Sequence, residues 1–165
     1  MPEQRYYCSF GANLEPEANA VLALQALSRR FSPIVLSSII KTAPAAMESK
    51  HPFLNFAFWF DSTMNADEVK SLFNQLETEQ GRDRSDPECS IKDRPLDLDI
   101  LSVNQAPSPA QHPEYLTPLL HQLAGDADVP AGICLAQHGL ELGHRAATIH
   151  RDPGSGHIRV VDQHP

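Results

Sequence analysis

No stretch of this chain is apolar for long enough to cross a bilayer. The most apolar run, Leu54 to Phe60, is far shorter than the roughly 20 residues a helical span requires. A signal-like apolar segment is also missing at the N-terminus, so a cytoplasmic location and no membrane partner are expected. Cysteine is scarce and odd in number. Cys8, Cys89 and Cys134 show no CxxC spacing, which argues against both a disulfide framework and a structural zinc site. The histidines show no HxxxH or HExxH spacing of the kind a zinc site uses. Basic residues are the minority charge: 13 Lys and Arg face 21 Asp and Glu, a net charge of −8. That balance opposes attraction to a phosphate backbone, and no basic-aromatic strand of the RNA-binding type occurs, so no nucleic-acid partner is expected. A few local arginines beside a metal ion can still hold a nucleotide, because distant charge is screened over about 8 Å.

What is present is an ordinary globular composition, 41% hydrophobic and 21% charged, in a 165-residue chain whose length suits one domain. Tyr6, Cys8 and Phe10 alternate with Tyr7 and Ser9 as in a strand, and Gly11 to Leu14 supply a turn. Pro16 opens a helix that its apolar stripe carries to about residue 31. The β-branched run 34–40 reads as a second strand, and 42–52, with two prolines, as a loop. Leu54, Phe56, Phe58 and Phe60 share one face of a third strand and belong to the core. Asn65 caps a second helix with Val69, Leu72, Phe73 and Leu76 on one stripe and Gly81 as its stop. Leu96, Leu98 and Ile100 alternate with Asp97 and Asp99 on a fourth strand, wet on one face. The order strand, helix, strand, strand, helix, strand predicts an α+β fold with a ferredoxin-like core over about 4–104, both helices covering one face of a mainly antiparallel sheet. A C-terminal extension over about 112–162 would hold a short helix from Thr117-Pro118 to about 124 and a hairpin around Asp152 to Gly156.

Alternate residues of a strand point the same way, so Asp97 and Asp99 stand side by side, roughly 7 Å apart at their bases. Two carboxylates so placed repel unless a cation lies between them. Mg²⁺, which takes carboxylates together with phosphate oxygens and water, meets that need. Two solvated aspartates beside basic residues would look the same in a sequence, so the neighbourhood decides. Glu77, Arg82 and Arg84 fall at the end of the second helix and in the loop leading back to the aspartates, with Arg94 three residues before Asp97. Guanidinium groups there suit phosphate binding and the charge developed in phosphoryl transfer.

Five segments, in order and in register, carry a family resemblance: Phe10-Gly11-Ala12-Asn13-Leu14, Ser37 to Pro44 (SSIIKTAP), Pro52-Phe53-Leu54-Asn55, Glu77 to Arg84 (ETEQGRDR), and Arg94 to Ile100 (RPLDLDI). Across 6–101 the chain resembles the 6-hydroxymethyl-7,8-dihydropterin pyrophosphokinases, which move a pyrophosphoryl group from ATP to a pterin hydroxymethyl group in folate biosynthesis. The resemblance implies that Asp97 and Asp99 hold two Mg²⁺ ions, and that Glu77, Arg82, Arg94 and His112 belong to the nucleotide site. By the same comparison Arg82 and Arg84 act on the phosphates, with Arg84 on a loop that closes over them. The pterin would be bound by Thr42 and Asn55, stacked by Phe53, and met by the Ala43-Pro44 backbone, with Tyr115 in the place of an aromatic lid. A monomer or weak homodimer is expected. The chain departs from the family pattern at Ala12, which stands where serine is usual, and in 88–93, which has no aromatic residue where a tryptophan is usual. It also departs in a shortened segment over 102–118. That segment keeps a second reading open, a non-catalytic or altered-specificity homologue that binds nucleotide or a pterin-like ligand.

Overall fold

The computed structural model describes residues 2–42, 52–80, 96–125, 132–137 and 140–162. The elements run β1 (Gln4–Ala12), α1 (Pro16–Ser28), β2 (Ile34–Leu36), β3 (Ile40–Thr42), β4 (Phe53–Ser62), α2 (Ala66–Glu79) and β5 (Asp97–Val103). Two short 3₁₀ turns follow at Pro109–Gln111 and Glu114–Leu116, then α3 (Thr117–Leu123), β6 (Leu135–Gln137), β7 (Leu140–Leu142), β8 (Ala147–Arg151) and β9 (Ile158–Asp162). The main sheet has the strand order β5-β1-β4-β2-β8-β9, with β3 also paired to β4, and every pairing in it is antiparallel.

Period-two patterning along β1 and β4 explains the core. Tyr6, Cys8, Phe10 and Ala12 face the same side as Leu54, Phe56, Phe58 and Phe60, all buried. Onto that side pack Ala20, Val21, Leu24 and Leu27 of α1 and Val69, Leu72, Phe73 and Leu76 of α2. The rings interlock: Phe31 stacks on Phe60 with centroids 3.8 Å apart, and Phe73 meets Phe60 edge-on at 6.4 Å. A capping box starts α2, in which Asn65 Oδ1 accepts from Glu68 N–H at 2.9 Å and Glu68 Oε1 accepts from Asn65 N–H at 3.2 Å.

Two features differ from the sequence-based expectation, and the face taken by the third helix is one the sequence left open. The run 34–40 is not one strand but two, β2 and β3, offset by residues 37–39. The first helix ends at Ser28 rather than near 31, since Phe31 turns back into the core with its N–H on Leu27 C=O. The third helix does not join the other two: Leu116, Leu119 and Leu120 pack with Ala57 on the opposite face of the sheet. The predicted C-terminal hairpin forms as β8–β9 and extends the main sheet beside β2. Arg151 fastens it to the end of α1, donating to Ser28 Oγ at 3.1 Å and to Gln25 C=O at 3.2 Å. No helix among the described residues is long and apolar enough to cross a membrane.

Candidate active site

The face that α1 and α2 leave open carries the odd-numbered residues of β1, β4 and the start of β5. On it, one cross-strand row links four strands: Asp97 stands opposite Gly11, Gly11 opposite Asn55, and Asn55 opposite Ile40. Strands lie about 4.8 Å apart, so Asp97 and Asn55 are about 10 Å apart across a floor of bare glycine. The next row places Asp99 opposite Ser9 and Ser9 opposite Ala57. Both aspartates thus reach the same face, Asp97 half-buried and Asp99 exposed.

At the other end of the row Asn55 is buried, with 4% of its surface exposed, and its Nδ2 donates to Thr42 Oγ1 at 2.6 Å. Gly11 is what admits the Asn55 amide: a Cβ on Gly11 would sit 3.1 Å from Asn55 Oδ1 and 3.8 Å from the Phe53 ring. Thr42 stands opposite Phe53, which is half-buried beside this pair. An amide, a hydroxyl and an aromatic face together suit a flat heterocycle with polar edges.

Glu77 is fully buried, and its Oε2 accepts the N–H of Leu98 at 2.9 Å, midway between the two aspartates on β5. By local pattern Glu77 is only a polar residue at a helix end, and the family resemblance alone gave it a role, in the nucleotide site. Its place against β5 follows from the packing of α2 on that strand. Behind Asp99, on the core side of β1, burial pushes the Cys8 thiol well above its ordinary pKa, and the Asp99 charge adds to the shift. Cys8 is therefore a protonated core thiol and not a nucleophile. Over the open face, His112 is half-buried between the two 3₁₀ turns, and Tyr115, in the second, is 42% exposed. Ala43, Pro44, Arg82, Arg84 and Arg94 lie outside the described residues.

Two hard carboxylates two residues apart on one strand fit Mg²⁺, which is bound through one or two carboxylates and completed by substrate phosphates and water. Among the described residues no group of three or more His, Cys, Asp or Glu side chains is placed to hold a metal ion.

The family model described as 7,8-dihydro-6-hydroxymethylpterin-pyrophosphokinase matches residues 7–145. The chain belongs to this family. The match contains every site residue named above and stops before β8 and β9. The chain is 32% identical over 114 residues to the 2-amino-4-hydroxy-6-hydroxymethyldihydropteridine pyrophosphokinase of Porphyromonas gingivalis, covering 68% of this chain and 77% of that protein. It is 31% identical over 102 residues to the Bacillus subtilis protein of the same name, covering 60% of this chain and 59% of that one. Membership marks the chain as a pyrophosphokinase, a transferase of folate biosynthesis.

Proposed function

We propose that the chain transfers the pyrophosphoryl group of ATP to the hydroxymethyl group of 6-hydroxymethyl-7,8-dihydropterin and releases AMP, using Mg²⁺. The observation that carries this reading is the single row Asp97–Gly11–Asn55, which sets a carboxylate pair for cation and phosphate about 10 Å from a buried amide–hydroxyl pair for the acceptor. The strand order β5-β1-β4-β2, with α1 and α2 on one face, supports reading the core as ferredoxin-like.

Asn55 and Thr42 orient the pterin edge, and Phe53 and Tyr115 offer ring surface. The backbone of Ala43-Pro44 completes the acceptor side. Asp97 and Asp99 would hold Mg²⁺, in two ions on the family pattern, which when bound neutralises phosphate charge and lowers the barrier to displacement. Glu77 holds the Leu98 amide and so fixes the strand that carries both aspartates. Arg82, Arg84, Arg94 and His112 are assigned to the phosphates, where guanidinium groups stabilise the charge that builds up as the β-phosphorus moves from the AMP oxygen to the acceptor oxygen. No side chain is assigned as a strong base. The net charge of −8 supports a small-molecule enzyme without a nucleic-acid partner.

Incubation with ATP, Mg²⁺ and the hydroxymethyl dihydropterin, with AMP release followed, tests the reading. Pterin-dependent AMP is expected, and its absence would favour the binding-only homologue that the short segment over 102–118 suggests. Asp97→Ala should abolish the activity, and retained turnover would remove the metal assignment.

A further inference from the structure

Between β2 and β3 the chain contains one residue more than its partner strand. Leu36 stands opposite Phe58 and Ile40 opposite Asn55, so Ser37, Ser38 and Ile39 share the space of Phe56 and Ala57. Because side chains alternate, one inserted residue exchanges the two faces. Val35 shares the open face with Trp59 before the bulge, and Ile40 and Thr42 share it after. In an unbroken strand Lys41 would stand opposite Phe53, and Thr42 would turn towards the core under α1 and α2. The bulge is what brings Thr42 to Asn55.

It is held from three directions. On β4, Ser37 N–H donates to Ala57 C=O and Ala57 N–H to Ser37 Oγ, both at 2.9 Å. From the segments before β6 and after β7, Ile133 N–H donates to Ile39 C=O at 2.8 Å, and Gly143 C=O accepts from Ile39 N–H at 2.8 Å. The third hold comes from α3. Ser38, fully buried, donates its N–H at 2.7 Å and its Oγ–H at 2.9 Å to one atom, Gln122 Oε1.

We propose that Gln122 is a positioning residue for the acceptor half of the site: by capping Ser38 it fixes the bulge and so the placement of Thr42 against Asn55. The same bond ties α3, which follows the turn bearing Tyr115, to the strand beneath it. This rests on the reading above that Thr42 and Asn55 bind the acceptor. The carbonyl oxygen is the essential atom, since a buried N–H and O–H left without an acceptor keep their full desolvation cost.

The test compares Gln122→Met, which keeps the length and removes the acceptor, with Gln122→Glu, which keeps an acceptor oxygen. Gln122→Met should raise KM for the hydroxymethyl dihydropterin about tenfold and leave KM for ATP within about twofold, and Gln122→Glu should restore the pterin KM. The Asn55 side-chain amide, followed by NMR in the same proteins, should lose its hydrogen-bonded shift in Gln122→Met and keep it in Gln122→Glu. Equal rises in both KM values would overturn the proposal, as would a Gln122→Glu protein as impaired as Gln122→Met. An Asn55 amide unmoved by Gln122→Met would overturn it even if the wild-type chain formed no pterin-dependent AMP, an outcome that separately refutes the assigned activity.

Discussion

Gly11→Ala should separate acceptor binding from stability, because it weakens the first while its two effects on the second nearly cancel. Gly11 lies in β1 with extended backbone, so alanine is admissible there, and the loss of glycine's freedom in the unfolded chain favours the variant by about 0.4–1 kcal/mol. The new methyl would sit 3.1 Å from Asn55 Oδ1, closer than ordinary van der Waals contact. Asn55 is buried and bonded to Thr42 at 2.6 Å, so it yields only by leaving its rotamer or stretching that bond. Either costs about 0.5–1.5 kcal/mol. The gain and the loss nearly cancel in the free protein, and the thermal midpoint should stay within about 3 °C of wild type. In the complex, an Asn55 turned from its place meets the pterin edge poorly. A loss of about 1 kcal/mol there raises the pterin KM roughly fivefold with the ATP KM unchanged. Steady-state AMP release at saturating ATP, read beside a thermal melt, gives both numbers. An unchanged pterin KM would refute the placement of Asn55 in the acceptor site, and a large fall in the midpoint would refute the backbone argument.

Removing the Glu77 carboxylate with Glu77→Ala leaves the buried Leu98 N–H without that acceptor and opens space between α2 and β5. Denaturant unfolding should show a loss of about 3 kcal/mol, with Glu77→Gln losing much less, and a loss below about 1 kcal/mol for alanine would show that the bond does not hold the strand. Glu15, which precedes α1, has φ 42° and ψ 51°, a left-handed conformation that costs a side chain about 1 kcal/mol. Glu15→Gly should therefore raise the urea midpoint without changing the slope, and a lower midpoint would count against the strain. Arg151→Met removes the bonds to Ser28, Gln25 and Gly156, so amide exchange should quicken across β8 and β9 before it does in β1 and β4. Uniform exchange across the sheet would argue that the hairpin is held by pairing alone.

Much of the core was legible because it depends on local period. Four apolar residues at alternate positions, Leu54 to Phe60, can bury one face only as a strand, and Val69, Leu72, Phe73 and Leu76 only as a helix. The same reasoning placed Asp97 and Asp99 on one face, and the register with Gly11 and Ser9 puts them on the open side. The side of the sheet taken by α3 was not legible. Its seven residues carry Leu119 and Leu120, which would suit either face, and the choice depends on Ala57 leaving room on β4 for them. The short hairpin β6–β7 had no signal of its own either, since three-residue strands are too brief for alternation to register.

The acceptor half of the site shows why such failures fall where function lies. Read by period two, the run from Ile34 puts Ile34, Leu36, Ile40 and Thr42 on one face, and because Ile34 and Leu36 are core residues, Thr42 would be buried with them. Only the extra residue within 37–39 reverses this. That insertion leaves no mark in composition, because Ser37, Ser38 and Ile39 all tolerate extended backbone. It is stabilised by partners distant in the chain, Gln122 being 84 residues from Ser38. The resemblance to a family could name Thr42, since it compares residues without needing to know which way they point. It could not name Gln122, whose part is to determine that direction. Residues that aim other residues are therefore the ones a single sequence hides, and at this site Gln122, through Ser38, is the one proposed to set the direction of Thr42.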